Sequence, residues 1–325
     1  MKLAQKKLFP RLFYGYFELK KKFEVKAMDF YGPQNLFYKI YHKIFTLIAP
    51  RRCLEGRVKK LNKYDLIYAT TDGIAIELAK LKQQGLVSSK VVANIMSIAD
   101  NEVQKQDILL LNNLDGLICF SRKIERFLIE KKIKNIRFIE FGVDTNFYKV
   151  SNQKERDVVL TIGLDSYRDW SFFINVANLL PNIEFRVIAC NSNEQLFGLK
   201  NITFLGNISF INTRHEIAKA KLIFLPTKPN HYFSGQTTLF NTLAMNKYTL
   251  MPIDGNFNNY DFDEKMFYRR DEDEKCVSKR IKNILSNQKQ KNIELINNHN
   301  LVLEKYNIVK FSDRLESLLT SIYEK

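Results

Sequence analysis

The sequence predicts an α/β chain built on two doubly wound parallel sheets. Short apolar runs alternate with helical segments, which is the pattern of strands crossed over by helices. The alternation halts at the polar stretch Ser151–Asp157 and then restarts. A length of 325 residues with 45% apolar side chains exceeds one core of ordinary size and can fill two.

The elements follow in order. Met1 to Pro10 supplies neither a buried strand nor a Gly-rich turn, so the first strand is expected to be degenerate or missing. Residues 11–20 read as the helix that would follow such a turn, and Phe23 to Phe30 as the second strand. Tyr64 to Thr70 reads as a strand, Thr71-Asp72-Gly73 as a turn, and Ile74 to Gln84 as a helix ending near Gly85. Strands follow at Lys90–Met96 and Leu114–Phe120, with a helix at Val103–Leu111 between them. Ser121 is a natural cap for a helix over Arg122–Lys132. Ile136–Ile139 closes the first sheet. Beyond residues 151–156, strands are expected at Val158–Ile162, Glu184–Ala189, Thr203–Leu205, Lys221–Leu225 and Tyr248–Met251. Helices are expected at Trp170–Leu179, Thr213–Lys219, Thr238–Met245, Glu274–Ser286 and Asn297–Lys325.

Charge is unevenly spread. The net charge is +16, and residues 1–65 hold 16 Lys and Arg against 5 Asp and Glu. Leu36, Phe37, Ile40, Tyr41, Ile44, Phe45 and Ile48 recur at helical spacing with Lys39 and Lys43 between them. Arg51, Arg52, Arg57, Lys59, Lys60 and Lys63 follow. A basic amphipathic segment of this kind suits an anionic membrane surface. The other reading is a domain helix with a solvated basic flank. No zinc-finger, RRM-like or recognition-helix signature accompanies the charge, so nucleic acid is not the expected partner, and a basic nucleic-acid-binding protein ranks only third among the readings. No apolar run is long enough to span a bilayer, and the amino terminus lacks the apolar core and small-residue cleavage site of a secretory signal. Cys53, Cys119, Cys190 and Cys276 are too widely spaced for a metal knuckle; buried, reduced thiols of a cytoplasmic protein are expected.

The most informative stretch is Ser234-Gly-Gln-Thr-Thr-Leu-Phe-Asn-Thr-Leu-Ala-Met-Asn246, after the apolar run Leu222–Pro226. A strand ends, a polar loop follows, and a helix starts near Thr237 or Thr238. Helix starts carry unpaired N–H groups and the positive end of the dipole, so they attract phosphate. Gly235 permits close backbone approach, and Ser234, Thr237 and Thr238 add hydroxyl donors. The alternative is a core helix whose start binds nothing.

Four segments, in order, carry a resemblance to the retaining nucleotide-sugar glycosyltransferases of the GT-B architecture (group 1, or family 4). They are Phe141-Gly-Val-Asp-Thr-Asn-Phe147, Leu160-Thr-Ile-Gly163 through Arg168-Asp-Trp170, Asn201-Ile-Thr-Phe-Leu-Gly206, and the stretch Ser234–Asn246. The resemblance is good over residues 64–250 and poor at both ends. It implies two Rossmann-like domains facing a cleft. Residues 1–150 would form the acceptor-side domain, 151–305 the nucleotide-sugar domain, and 306–325 a helix returning to the first. It implies a metal-independent sugar transfer with no cofactor, a nucleoside-diphosphate-sugar donor, and a glycan or lipid-linked acceptor. Surface-polysaccharide assembly on the inner face of the membrane would be its setting.

The resemblance puts donor-binding residues at Gly163, Arg168, Lys228, Ser234, Gly235, Gln236, Thr237, Thr238 and Asn241. Arg168 stands where the family carries a basic phosphate ligand; otherwise it is a surface Arg paired with Asp165 or Asp169. The family's companion Arg is Leu164 here, and Lys228 is the available substitute. The two carboxylates expected at the donor pocket are Phe233 and Asn241 instead. These departures leave a catalytically inactive scaffold as the alternative. The stretch Asn94–Asp100, where the resemblance would place a His near the reacting sugar, has none, so the catalytic candidates are Asp72, Asp100 and His231. Asp261-Phe-Asp263 and Asp271-Glu-Asp273 lie too late for the metal pair of a single-domain transferase and read as solvated loop carboxylates.

Overall fold

The computed structural model describes residues 15–27, 58–98, 105–190, 198–230, 232–253, 259–286 and 293–324. The chain divides into two compact units: Tyr16–Ile139 together with Ser312–Lys325, and Glu140–Phe311.

The first unit holds four parallel strands in sequential order: β1 (Leu66–Ala69), β2 (Lys90–Asn94), β3 (Gly116–Cys119) and β4 (Ile136–Phe138). β2 and β3 are buried almost throughout, as the continuous Val, Ile and Leu runs of a parallel sheet require. Helices Asp72–Gln83, Lys105–Leu110 and Arg122–Glu130 connect them. Thr71 and Ser121 cap the first and last of these through side-chain oxygens that accept from Ile74 N and Ile124 N. Gly85, at φ +71°, ends the first helix in the left-handed turn that glycine allows. Helix Ile308–Tyr323 joins this unit from Ser312 onward. Its Ile322 occupies the space that a side chain at Gly116 would need.

The strand expected at Phe23–Phe30 does not form over its described part, residues 23–27. The amino-terminal strand question, most of residues 35–63, Asp100 and His231 lie outside the described residues.

The second unit holds five parallel strands: β5 (Arg156–Gly163), β6 (Glu184–Ala189), β7 (Ile202–Phe204), β8 (Ala220–Phe224) and β9 (Tyr248–Leu250). Their order is β7-β6-β5-β8-β9, so the winding reverses between β5 and β8. Helices Trp170–Asn178, Phe210–Lys219 and Gln236–Ala244 cross between strands. Asp169 and Ser209 cap the first two. The middle one starts at Phe210, earlier than the periodicity alone places it, because Ser209 Oγ accepts from Asn212 N at 3.3 Å.

Residues 140–150 belong to this second unit, whereas the polar stretch drew the boundary at 150. Phe141, Val143, Phe147 and Tyr148 are all buried. Val143 N donates to Tyr306 O at 2.9 Å, and Val143 O accepts from Ile308 N at 2.8 Å. A Cβ on Gly142 would lie 2.5 Å from Phe311 Cβ and 2.7 Å from Asn307 O, so only glycine fits. That same bond pair splits the single helix expected at 297–325 into Ile293–Glu304 and Ile308–Tyr323. Tyr306 is fully buried at the break, among Phe240, Tyr260 and Phe262.

Candidate functional site

An open parallel sheet offers a ligand crevice outside the carboxyl ends of its strands where the winding reverses. Here that place lies beyond β5 and β8. The loop after β5 runs from Leu164 to Asp169, and the loop after β8 from Leu225 to Gly235. They meet through an isolated antiparallel bridge between Arg168 and Thr227, with Asp169 N donating to Pro226 O at 3.0 Å and Lys228 N to Tyr167 O at 2.8 Å.

Arg168 is the centre of this meeting. It is only 2% exposed, so it is not a surface residue. Its Nε donates to Ile162 O at 2.6 Å and its Nη1 to Ser234 Oγ at 3.3 Å. Gly163 makes this possible: a Cβ there would overlap Arg168 Cγ and lie 2.8 Å from Cδ and 2.9 Å from Nε. Gly163 therefore supplies a groove for the Arg side chain. Desolvation holds the guanidinium below its ordinary pKa, opposed by the nearby Asp165. The Asp165 carboxylate stands 3.9 Å from Nη2, at the outer limit of an ion pair. Asp169 is occupied elsewhere, accepting from Phe172 N at 3.1 Å as a helix cap.

The guanidinium faces the start of helix Gln236–Ala244. Gly235 has φ +83°, and a Cβ there would stand 3.4 Å from both Arg168 Nη1 and Nη2. As the N-cap it brings no side-chain bond. Thr237 is exposed and Thr238 half-buried at the first turn. Ser234 Oγ donates to Asp165 Oδ1 at 3.2 Å, and Ser234 N donates to Asn230 Oδ1 at 3.3 Å. Tyr232 packs edge-on against Tyr167 at 5.2 Å; burial, followed by Asp165, pushes its phenol up to about 12. Lys228 is exposed.

One of the sequence-derived residues points elsewhere. Gln236 turns into the core, where its Nε2 donates to Tyr260 Oη at 2.7 Å. Asn241 is buried on the same helix, and its Oδ1 has no hydrogen-bond partner. Phe233 is buried with its ring 6.1 Å from that of Tyr260.

In the first unit, Asp72 is taken up by the loop after β2. Its Oδ1 accepts from Met96 N at 2.7 Å, and its Oδ2 from Ser97 N and Ser97 Oγ at 2.8 Å each. The late Asp pairs are capping and pairing groups. Asp261 pairs with Lys305, which together with Tyr306 Oη holds its carboxyl below the usual range against some desolvation. Asp263 caps the turn at Lys265 N, Asp271 pairs with Arg269, and Asp273 accepts from Cys276 N at 2.8 Å. Among the described residues no group of three or more His, Cys, Asp or Glu gathers as for a metal, and no helix is long and apolar enough to cross a membrane. The expectation of buried thiols holds for Cys119, which burial pushes up to about 12, but Cys190 is half-buried and Cys276 exposed.

Sequence reasoning missed Asp165 as a member of the site, although its spacing from Arg168 marked it as a partner. It also missed Arg270, whose Nη1 donates to Thr227 O at 2.6 Å and braces the loop; nothing in the local sequence signals that contact.

Neither a family model nor a curated protein matches the sequence. Solved structures match the fold. HepE of Anabaena in complex with UDP-glucose aligns over 85% of this chain and 84% of its own, at 16% identity and a TM-score of 0.68. A glycosyltransferase from Rickettsia africae aligns over 95% and 88%, at 12% identity and 0.68. The lipopolysaccharide outer-core galactosyltransferase WaaB aligns over 83% and 78%, at 10% identity and 0.57. The fold is the GT-B fold of these glycosyltransferases.

Proposed function

We propose that this chain is a retaining, metal-independent glycosyltransferase that uses a nucleoside-diphosphate sugar. One observation carries the reading: at the reversal between β5 and β8, a buried guanidinium faces a helix start that no side chain caps. A leaving diphosphate needs its charge stabilised, and a fixed cation with oriented N–H groups supplies that without a metal. Arg168, Ser234, Gly235, Thr237 and Thr238 would hold the diphosphate, with Lys228 at the rim. Asn241 would meet the nucleoside as a neutral partner, its unpaired Oδ1 available to one hydroxyl after a small shift. HepE, similar in fold, binds UDP-glucose. The acceptor would be a glycan, lipid-linked, in surface-polysaccharide assembly; WaaB acts in lipopolysaccharide, and the amino-terminal fifth of this chain carries net charge +11. The protein would then work in the cytoplasm, peripheral on the inner face of the membrane.

Calorimetric titration with UDP and GDP tests the site. Arg168→Ala and Gly235→Val should each weaken binding about tenfold or more, the loss of a charge-assisted contact of roughly 1.5–3 kcal/mol, with circular dichroism unchanged. Unchanged affinity in both variants sinks the assignment.

A second reading is a nucleotide-binding GT-B protein without transferase activity. Phe233 is core and Asn241 is neutral, so both carboxylates expected at the donor pocket are absent, and Asp72 is committed to a loop. Nucleotide binding without turnover of any nucleotide sugar would favour it.

A further inference from the structure

We propose that Asp165 is a displaceable internal counter-ion that stands in for the donor's diphosphate when the site is free. The inference rests on the donor-site reading above and adds how the site is regulated.

The two charges are held very differently. Arg168 is fixed: its side chain lies in the Gly163 groove, its Nε is bonded to Ile162 O at 2.6 Å, and almost none of it reaches solvent. Asp165 is the exposed partner: its side chain is 35% exposed and its Oδ2 stands 3.9 Å from Nη2. Ser234 bridges them, accepting from Arg168 Nη1 at 3.3 Å and donating to Asp165 Oδ1 at 3.2 Å. Asp165 Oδ1 also accepts from Tyr167 N at 2.9 Å, which shapes the loop. A desolvated guanidinium needs a nearby negative charge. The carboxylate supplies it in the free protein. An arriving diphosphate would meet like charge at that point and take over both Arg168 and the Ser234 hydroxyl. The carboxylate, being the exposed partner, turns out to solvent. No covalent bond is made or broken; a weak internal ion pair is exchanged for a stronger external one.

Asp165→Asn tests this, because it removes the charge and keeps the acceptor for Tyr167 N and Ser234 Oγ. UDP, pyrophosphate and uridine are titrated into wild type and variant, in EDTA and again in manganese. The expected result in EDTA is binding of UDP and pyrophosphate about tenfold tighter in the variant, the effect of removing one competing negative charge at a partly solvated site. Uridine, which lacks phosphate, should be unaffected. The free variant should melt at a lower temperature than wild type, and the rise on adding UDP should be larger. UDP binding to wild type with equal or weaker binding to the variant overturns the counter-ion role and leaves the donor site standing. Tightening by manganese in wild type that is lost in the variant also overturns it, since the carboxylate would then be a metal ligand. No binding of UDP or pyrophosphate to either protein removes the donor-site reading, and the counter-ion role with it.

Discussion

Gly163 and Arg168 are complementary at the atomic scale. The glycine has no conformational task that other residues could not meet; it is there because the Arg side chain lies across its Cα. Gly163→Ala should therefore push the guanidinium off Ile162 O and away from the helix start. The expected outcome is weaker UDP binding by about tenfold together with a lower melting temperature, since a buried cation loses its bonds. Calorimetry and thermal unfolding check it. An unaltered affinity would mean that the guanidinium is not positioned by this groove. Arg168 itself could be named from its position in the chain. Its burial could not, because the guanidinium also meets Ser234, which lies in a different loop.

Among the elements, helix Gln236–Ala244 shows how one segment serves two environments. Its first turn is open at Thr237, while Leu239, Phe240, Leu243 and Ala244 are buried. The side chain that ties the open end to the core is Gln236, through Tyr260 Oη, which also accepts from Phe141 N at 3.1 Å. Tyr260→Phe keeps the ring edge-on against Phe240 and Tyr306 but removes an acceptor shared by two donors. Stability should fall on the order of 1–3 kcal/mol, read as a lower midpoint in urea with an unchanged slope. The apolar spacing of this helix was legible in the sequence, and so was its glycine. The inward turn of Gln236 was not, since a glutamine beside two threonines looks like part of the polar loop until Tyr260 is brought above it.

For the whole molecule, two expectations concern what the protein needs and where it works. Because Asp261, Asp263, Asp271 and Asp273 are engaged in ion pairs and caps, EDTA should leave sugar transfer intact. Strict dependence on manganese or magnesium would overturn the metal-independent mechanism. The basic amino-terminal region should bind vesicles containing anionic lipid, more weakly as salt rises, because each Lys or Arg near such a surface contributes about 1 kcal/mol and is screened within roughly 8–10 Å. Replacing Arg51, Arg52, Lys59 and Lys60 by Ser should reduce sedimentation with anionic vesicles. Equal partitioning to neutral and anionic vesicles would leave the charge without this explanation.

The sequence by itself determined the alternation of strands and helices, the cap at Ser121, and the glycine-led helix start around Gly235. Each is a local matter of apolar period, side-chain reach and backbone freedom. Only the tertiary structure decided the order β7-β6-β5-β8-β9, and with it the meeting of two loops that are far apart in the chain. It decided that residues 140–150 join the second unit, that the terminal helix breaks at Tyr306, and that Asp165 rather than Asp169 faces Arg168. The physical reason is that strand order and burial are set by which surfaces exclude water together. Local periodicity shows which face of an element is apolar, but not which other element will cover it.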